Sequence, residues 1–230
     1  DCVDGIKASF DKYPVAKVVY STKALAFGTT DMSTDVKHMI DAGVDFVTTC
    51  LDTNGVLTLA REMRQQGMNA IQFLPNAYDH DFMSKNGAFF QNSVVIVQEA
   101  PIETTPRFPA LQNYITWMGK GGYTMTENAE IGWANADLFV TGLRGAGENF
   151  SRQKVIDAIN KLTNYNAGGI LPPVDWTQQH TNLHYPRSCI GFMQIENSKF
   201  VSLWAQPGKP FTCWNGTPAT VQDSKPYNQI

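Results

Sequence analysis

Charge, long apolar stretches and basic clusters are all scarce in this sequence of 230 residues. Asp, Glu, Lys and Arg make up 17% of it, and the net charge is −3. No run is rich in Lys and Arg, so the electrostatic footprint of a nucleic-acid-binding protein is missing and we expect no nucleic-acid partner. No segment approaches the roughly 20 apolar residues that a membrane-spanning helix needs. The first residues hold no basic region followed by an apolar core, so the signal peptide of an exported protein would lie outside this sequence.

Motifs of several large enzyme classes are absent as well. No Gly-x-Gly-x-x-Gly follows a predicted strand, and neither a Walker-type phosphate loop nor a Gly-x-Ser-x-Gly is present. His180 and His184 are four residues apart without the Glu of a metalloprotease between them, so we interpret them as loop residues. His80 stands between Asp79 and Asp81, which permits an α/β enzyme using this cluster or, alternatively, a polar loop with an N-capping Asp. We predict no metal site and no cofactor.

The four cysteines leave two interpretations open. Cys2, Cys50, Cys189 and Cys213 are too widely spaced for a zinc site, since no two lie two to four residues apart. An even number with wide spacing permits two disulfides and an oxidising compartment. Four buried free thiols in a cytosolic protein would have the same count.

The most informative segment is 31–76, where helical and strand patterns alternate. A helical pattern begins after Ser33, an apolar strand follows at 44–49, and a second helix at 56–66 precedes another strand at 70–74. This alternation predicts an α/β protein with parallel strands joined by crossover helices. The 43% hydrophobic composition provides enough apolar material for such a core.

The rest of the chain changes character along its length. A helix is predicted at 2–12 and a strand at 15–21, so the chain begins with a helix where a doubly wound sheet usually begins with a strand. Prolines interrupt residues 99–109, helical stripes follow, and a β-hairpin is predicted around Glu196–Lys199.

Two groups of polar residues follow the predicted strands 44–49 and 70–74. The carboxyl ends of parallel strands meet at one edge of the sheet, where ligands bind in such folds. Carboxylates there can pair with a cationic group, amides can hydrogen-bond a polar solute, and a tyrosine can stack on it. A compatible alternative is that Asp52 and Asp79 cap the helices that follow. The candidate ligand-binding residues are Asp52, Thr53, Asn54, Asn76, Tyr78 and Asp79.

The order of these elements resembles the second lobe of type I periplasmic binding proteins. These are solute-binding components of ABC importers for branched-chain amino acids and related compounds. The resemblance is carried by Val3-Asp4-Gly5-Ile6-Lys7-Ala8, Asp31-Met32-Ser33, Gly43-Val44-Asp45-Phe46-Val47, Gly67 and Gln72-Phe73-Leu74.

The resemblance implies a fold and a function. The fold would be a doubly wound parallel sheet in one lobe of a clamshell that closes by hinge motion, with most of the N-terminal lobe outside these residues. The protein would have no catalytic activity. It would bind an amino acid or similar small polar solute in the cleft between the lobes and deliver it to the membrane permease of an ABC transporter. Its location would be extracytoplasmic, as a periplasmic protein or a cell-surface lipoprotein. A ligand-sensing receptor or regulatory domain of the same fold is the alternative.

The resemblance also implies a division of the chain and a disulfide pairing. The second lobe, lacking its first strand, would comprise 1–100, a hinge crossing 101–108, a helical return segment of the first lobe 109–187, and a C-terminal β-hairpin and tail 188–230. Cys2 would pair with Cys50 and Cys189 with Cys213.

Overall fold

A computed structural model describes residues 2–180 and 187–215. His184 and the tail beyond residue 215 lie outside the described residues. The helices are α1 (Cys2–Lys12), α2 (Ser33–Asp41), α3 (Thr53–Gln65), α4 (His80–Asn86), α5 (Pro109–Gly121), α6 (Glu127–Ala146) and α7 (Arg152–Ile159). The strands are β1 (Phe46–Thr48), β2 (Ile71–Leu74), β3 (Val94–Val97), β4 (Arg187–Glu196), β5 (Lys199–Leu203) and β6 (Thr212–Asn215).

The chain divides into two compact units. The first extends to Ile96 and includes Met193–Val201, and the second comprises Val97–Phe192 and continues from Ser202. The polypeptide therefore passes from one unit to the other three times.

The first unit is an α/β layer structure built on a mostly parallel sheet. β1 pairs in parallel with β2, and β2 with β3, as the alternating pattern predicts. The sheet continues in the order β1-β2-β3-β4-β5. In this unit the amide of Asn92 donates to the carbonyl of Ile195 at 2.8 Å. β4 and β5 are joined through Asn197 and Ser198, whose φ angles are +52° and +61°, as a two-residue hairpin turn requires.

Helices α2 and α3 each bury one face in the core of the first unit. Val36 and Met39 of α2 and Val56, Leu59 and Met63 of α3 are buried, at the spacing of three and four residues that one helix face gives. The amphipathic patterns in 31–76 are thus confirmed as helices that bury one side.

The segment after α1 departs from the sequence-based prediction. We predicted a strand at 15–21, but residues 17–26 have no regular secondary structure, so that prediction was wrong. A strand forms by pairing its backbone with a neighbour. In the described part of the chain β1 ends the sheet, and nothing pairs with 15–21.

The second unit is mainly helical. Its core contains residues from three helical or turn regions, namely Leu111, Tyr114, Ala134, Tyr165, Ala167 and Ile170. α6 and α7 pack closely at Gly142, where a Cβ would lie 2.7 Å from Ile159 Cγ1. The first half of β4 pairs antiparallel with β6, a strand that the sequence patterns did not predict.

Both disulfides are present in the pairing that the resemblance implied. Cys2 is bonded to Cys50 with 6.2 Å between their Cα atoms. Cys189 is bonded to Cys213, which faces it in the β4–β6 register, with 4.0 Å between Cα atoms. The interpretation as four free thiols is therefore wrong. Of the helices in the described ranges, none combines the length and apolarity needed to span a bilayer.

Candidate ligand-binding site

The two polar loops predicted to meet at one sheet edge do meet there. The loop after β1 and the loop after β2 follow neighbouring parallel strands. Asn76 Nδ2 donates a hydrogen bond to the carbonyl oxygen of Leu51 at 3.0 Å. A side chain of the second loop thus fixes the backbone of the first, and the rest of Asn76 is exposed to solvent.

Asp52 caps the helix that follows β1. Its Oδ1 accepts hydrogen bonds from the amides of Gly55 and Gly28, each at 3.3 Å. The first bond satisfies an amide in the first turn of α3, and the second fixes an otherwise irregular segment. The capping alternative for Asp52 is therefore confirmed. A carboxylate offers about four acceptor positions, so two amide donors leave it capacity for a further donor.

Thr53 and Asn54 form the first turn of α3. Thr53 is half-buried, whereas Asn54 is exposed and contributes its carbonyl oxygen to the hydroxyl of Thr58 at 3.1 Å. Asn54 is three residues after Leu51, whose carbonyl oxygen Asn76 holds.

Tyr78 lies in the core of the first unit. Its side chain is only 4% exposed, and its ring centroid is 4.8 Å from that of Phe200 and 5.2 Å from that of His80. The ring thus packs in the core beneath the loop after β2. The sequence analysis had instead expected it to stack on a solute.

Asp79 caps α4 in the way that Asp52 caps α3. Its Oδ1 accepts from the amide of Phe82 at 2.9 Å, and its own amide donates to the carbonyl of Ala77 at 2.9 Å. The neighbouring His80 ring packs edge-on against Phe200 at 5.0 Å. Across the residues that the structure describes, no group of three or more His, Cys, Asp or Glu side chains could hold a metal ion. The structure therefore places Asp79 at the N-cap of α4.

Sequence reasoning missed a buried acidic cluster in the second unit. Glu130 in the first turn of α6 is 1% exposed and Glu99 beyond β3 is 4% exposed. The pKa of Glu130 is raised to about 9 and that of Glu99 to about 7, mainly because both carboxyl groups are buried. Among charged neighbours, the carboxylates of Glu99, Glu103 and Glu127 raise the pKa of Glu130 further, and that of Glu127 raises the pKa of Glu99. A glutamate four residues before the buried Ala134, on the apolar side of α6, was the signal available in the sequence.

The hydrogen-bonding capacity of this cluster is partly unused. Glu99 Oε2, Glu130 Oε1 and the hydroxyl of Tyr114 are buried without a hydrogen-bond partner among the described residues. An ionised carboxylate in such a place is strongly disfavoured, which agrees with the direction of both pKa shifts.

Comparison with known proteins identifies the family of this chain. A family model described as periplasmic binding protein matches residues 1–199. The chain belongs to the periplasmic binding protein family. Curated protein sequences contain no match to it.

Solved structures share its type I fold at low sequence identity. A branched-chain amino acid ABC transporter protein from Thermus thermophilus with bound valine has a TM-score of 0.70 and 16% identity, covering 88% of this chain and 55% of that one. A solute-binding protein from R. palustris in complex with benzoate has a TM-score of 0.64 and 13% identity, covering 99% and 56%. A leucine-binding protein from Thermotoga maritima has a TM-score of 0.61 and 16% identity, covering 76% and 48%.

This periplasmic binding protein chain spans about half the length of these structures, 48–56% of each. The family and the structural neighbours are solute-binding proteins and not enzymes. Membership of this family therefore favours a binding protein over the enzyme alternative based on Asp79, His80 and Asp81.

Proposed function

We propose that this chain is part of the solute-binding component of an ABC importer and binds a small polar solute at the β1–β2 sheet edge. The observation that carries the proposal is the hydrogen bond between Asn76 Nδ2 and Leu51 O at 3.0 Å. It joins the two strand-end loops into one surface, at the place where open parallel sheets bind ligands. Membership of a solute-binding family supports the same role.

The side chains at this edge suggest how a solute would be held. Asn54 and Asn76 are exposed and can each donate and accept hydrogen bonds. Asp52 keeps acceptor capacity beyond its two amide partners, so it is the carboxylate that we assign to a solute ammonium group. Asp79 and Thr53 contribute from the half-buried rim, and Tyr78 supports the loop from inside the core.

The clamshell mechanism and the cellular setting are parts of the same proposal. The second lobe would be 1–100, with a hinge crossing at 101–108, a return segment at 109–187 and a C-terminal hairpin and tail at 188–230. Three passages of the chain between two compact units suit a hinge, because a few linking residues can absorb the rotation. Two disulfides favour an oxidising, extracytoplasmic compartment, where the protein would deliver its solute to a membrane permease.

The solute is an amino acid or a related small polar molecule. Among the structural neighbours, one holds valine and another benzoate, so a screen must include both amino acids and aromatic acids. The full-length protein should be tested by thermal shift, because a solute that binds only the folded state raises Tm with concentration. A screen in which no amino acid, amide or aromatic acid raises Tm would contradict the proposal.

One variant connects the binding to the sheet edge. Asn54→Ala should weaken binding of the solute found in the screen about tenfold or more, since an unpaired polar group of the ligand costs about 1–3 kcal/mol. Its apo Tm should stay unchanged, because the Asn54 side chain is exposed. Asn149→Ala, an exposed asparagine of the second unit, is the matched control. Equal affinities for both variants in isothermal titration would place the solute elsewhere.

A further inference from the structure

Two arginines of α3 stack on one phenylalanine ring at the surface of the first unit. The guanidinium carbon of Arg61 lies 5.6 Å from the ring centroid of Phe89, and that of Arg64 lies 5.3 Å from it. Both arginines are exposed and Phe89 is half-buried. The ring belongs to the short helical turn Gly87–Phe90, which packs against α3. We call Arg61 and Arg64 on this ring the arginine pair.

The arginine pair brings two like charges together. Residues three apart on a helix have Cβ atoms about 5–6 Å apart, and like charges at this spacing repel. Attraction to the electron-rich face of the ring offsets part of this repulsion. Elsewhere in the described residues, the rings of Tyr13 and Trp117 each carry a single lysine. The ring of Phe89 therefore holds more positive charge than these other two rings.

No carboxylate of the described residues neutralises the arginine pair. Neither guanidinium group forms an ion pair or a hydrogen bond with another described residue. The other positions three and four residues away from either arginine are uncharged, namely Leu57, Thr58, Ala60, Gln65, Gly67 and Met68.

The two preceding helices treat their lysines differently. In α1, Lys7 pairs with Asp11 at 3.0 Å. In α2, Lys37 pairs with Asp41 at 3.4 Å. Both pairs have the spacing of four residues that supports an ion pair on a helix. α3 has no such acidic partner for its arginines, so both guanidinium groups are open to a partner from outside the described chain.

We propose that the arginine pair binds a phosphoryl group, with both guanidinium groups donating hydrogen bonds to its oxygen atoms. A guanidinium group has five N–H donors in a planar fork that matches two phosphate oxygens at once. Hydrogen bonds between such charged groups are shorter and stronger than neutral ones. An anion between the arginines would also replace their mutual repulsion with attraction to a shared partner. Free phosphate or pyrophosphate and the headgroup of an anionic lipid are two sources of this group.

Phe89 would give the site its preorganisation. Ordering a long side chain on binding costs free energy, and a side chain that is already held avoids part of this cost. The stack on Phe89 holds both arginines before an anion arrives. An uncharged residue should therefore affect the affinity for an anion, which a general attraction to positive charge does not predict.

The arginine pair is separate from the proposed solute site. Asp52 caps the beginning of α3, whereas both arginines lie in its second half. At about 1.5 Å per residue, Arg61 is roughly 12 Å along the helix axis from Thr53. The proposal therefore does not depend on the proposed solute, and Arg64→Gln should leave the thermal shift caused by that solute unchanged.

Isothermal titration of the full-length protein with pyrophosphate tests the proposal. Salt of about 0.15 M should be used, because it screens exposed charges more than about 8 Å apart. Arg64→Gln should weaken binding about tenfold through the lost charged hydrogen bonds. Arg152→Gln, which changes an exposed arginine of the second unit, is the matched control and should leave the affinity unchanged. Equal losses in these two variants would overturn the proposal, since they would indicate only general attraction to positive charge.

Two further variants separate a built site from charge alone. Phe89→Leu should weaken binding about threefold although the net charge stays the same. Arg64→Lys keeps the charge, removes the planar fork and alters only an exposed side chain, so it answers the question even if Phe89→Leu fails to fold. It should also weaken binding. Affinity for pyrophosphate that is unchanged in Arg64→Lys would overturn the proposal.

Vesicle sedimentation distinguishes the two sources of the phosphoryl group. The probes are vesicles of phosphatidylcholine with phosphatidylglycerol and vesicles of phosphatidylcholine alone. Binding to the first kind only, and its loss in Arg64→Gln, would assign the site to a lipid headgroup. Binding of pyrophosphate without binding of vesicles would assign it to free phosphate. Binding of neither pyrophosphate nor anionic vesicles would overturn the proposal.

Discussion

Raising the pH from 5 to 7 should destabilise the second unit, because folding holds protons on two buried glutamates. Glu130 has its pKa raised to about 9 and Glu99 to about 7, from an ordinary value of 4.5. Above pH 4.5 the unfolded chain releases these protons while the folded chain keeps them. A raised pKa therefore contributes stability that is complete below pH 4.5 and is lost as pH rises through 7 for Glu99 and through 9 for Glu130.

The size of the effect follows from the same linkage. Each group that is protonated when folded and ionised when unfolded costs about 1.4 kcal/mol of unfolding free energy per pH unit. From pH 5 to pH 7 this gives a loss of about 2.5 kcal/mol for Glu130 and about 2 kcal/mol for Glu99. The two groups influence each other, so they titrate as a coupled pair and the total loss is about 4 kcal/mol. A small domain has roughly 5–15 kcal/mol in all, so the loss should be easy to measure.

Urea unfolding of the chain between pH 5 and pH 8 is the assay. The ring of Trp133 lies edge-on to Tyr114 with centroids 5.6 Å apart, so its fluorescence reports on this core. Glu130→Gln keeps the shape but cannot ionise, and it should reduce the pH slope by about 1.4 kcal/mol per unit between pH 5 and 7. Glu148→Gln alters an exposed glutamate of the same unit and should leave the slope unchanged. A flat or rising stability over this range, or the same slope in Glu130→Gln as in the wild type, would refute the reasoning.

Three further substitutions test the packing and capping described above, each by urea unfolding. Gly142→Ala should lower the free energy of unfolding by about 1–3 kcal/mol, because the added Cβ would clash with α7. Its control Gly132→Ala, which has open space at the Cβ, should be neutral or stabilise by up to about 1 kcal/mol. Equal effects of the two variants would contradict this. Asp79→Ala should cost about 1 kcal/mol through the lost cap, and Asp79→Asn should restore it; a neutral alanine would contradict this. Tyr165→Phe removes a hydroxyl whose single proton is shared between a backbone carbonyl and a carboxylate, each 2.9 Å away, and it should cost about 1–3 kcal/mol; no change would exclude that role.

Elements with strong periodicity could be predicted from the sequence, and those that depend on a distant partner could not. The spacing of the apolar residues in α3 predicts which face of the helix is buried. Gly67, with φ +72°, marks where the chain turns after this helix. The segment 15–21 has an equally good local pattern, but a strand exists only when another strand pairs with it. β6 is the opposite case: its local pattern is weak, and it forms by pairing with β4.

The candidate site could be predicted in position and only partly in detail, for the same reason. Strand-end loops follow from chain order, so Asp52 and Asn76 could be assigned to one edge. The burial of Tyr78 could not, because it depends on Phe200, a residue more than a hundred positions away. The acidic pair of Glu99 and Glu130 likewise forms only when the segment after β3 packs against α6, and neither residue lies in a motif.

The carboxylate that caps α3 is also the one that we propose for solute binding, and the two roles are compatible. The hydrogen bonds of Asp52 to Gly55 and Gly28, with that of Asn76 to Leu51, immobilise both loops before any solute arrives. Ordering a mobile side chain on binding costs about 0.5–1.5 kcal/mol each, and a loop that is already ordered avoids this cost. In the proposed site Asp52→Ala should therefore weaken binding more than the loss of one ion pair accounts for, because it would also remove the cap of the helical turn that contains Asn54.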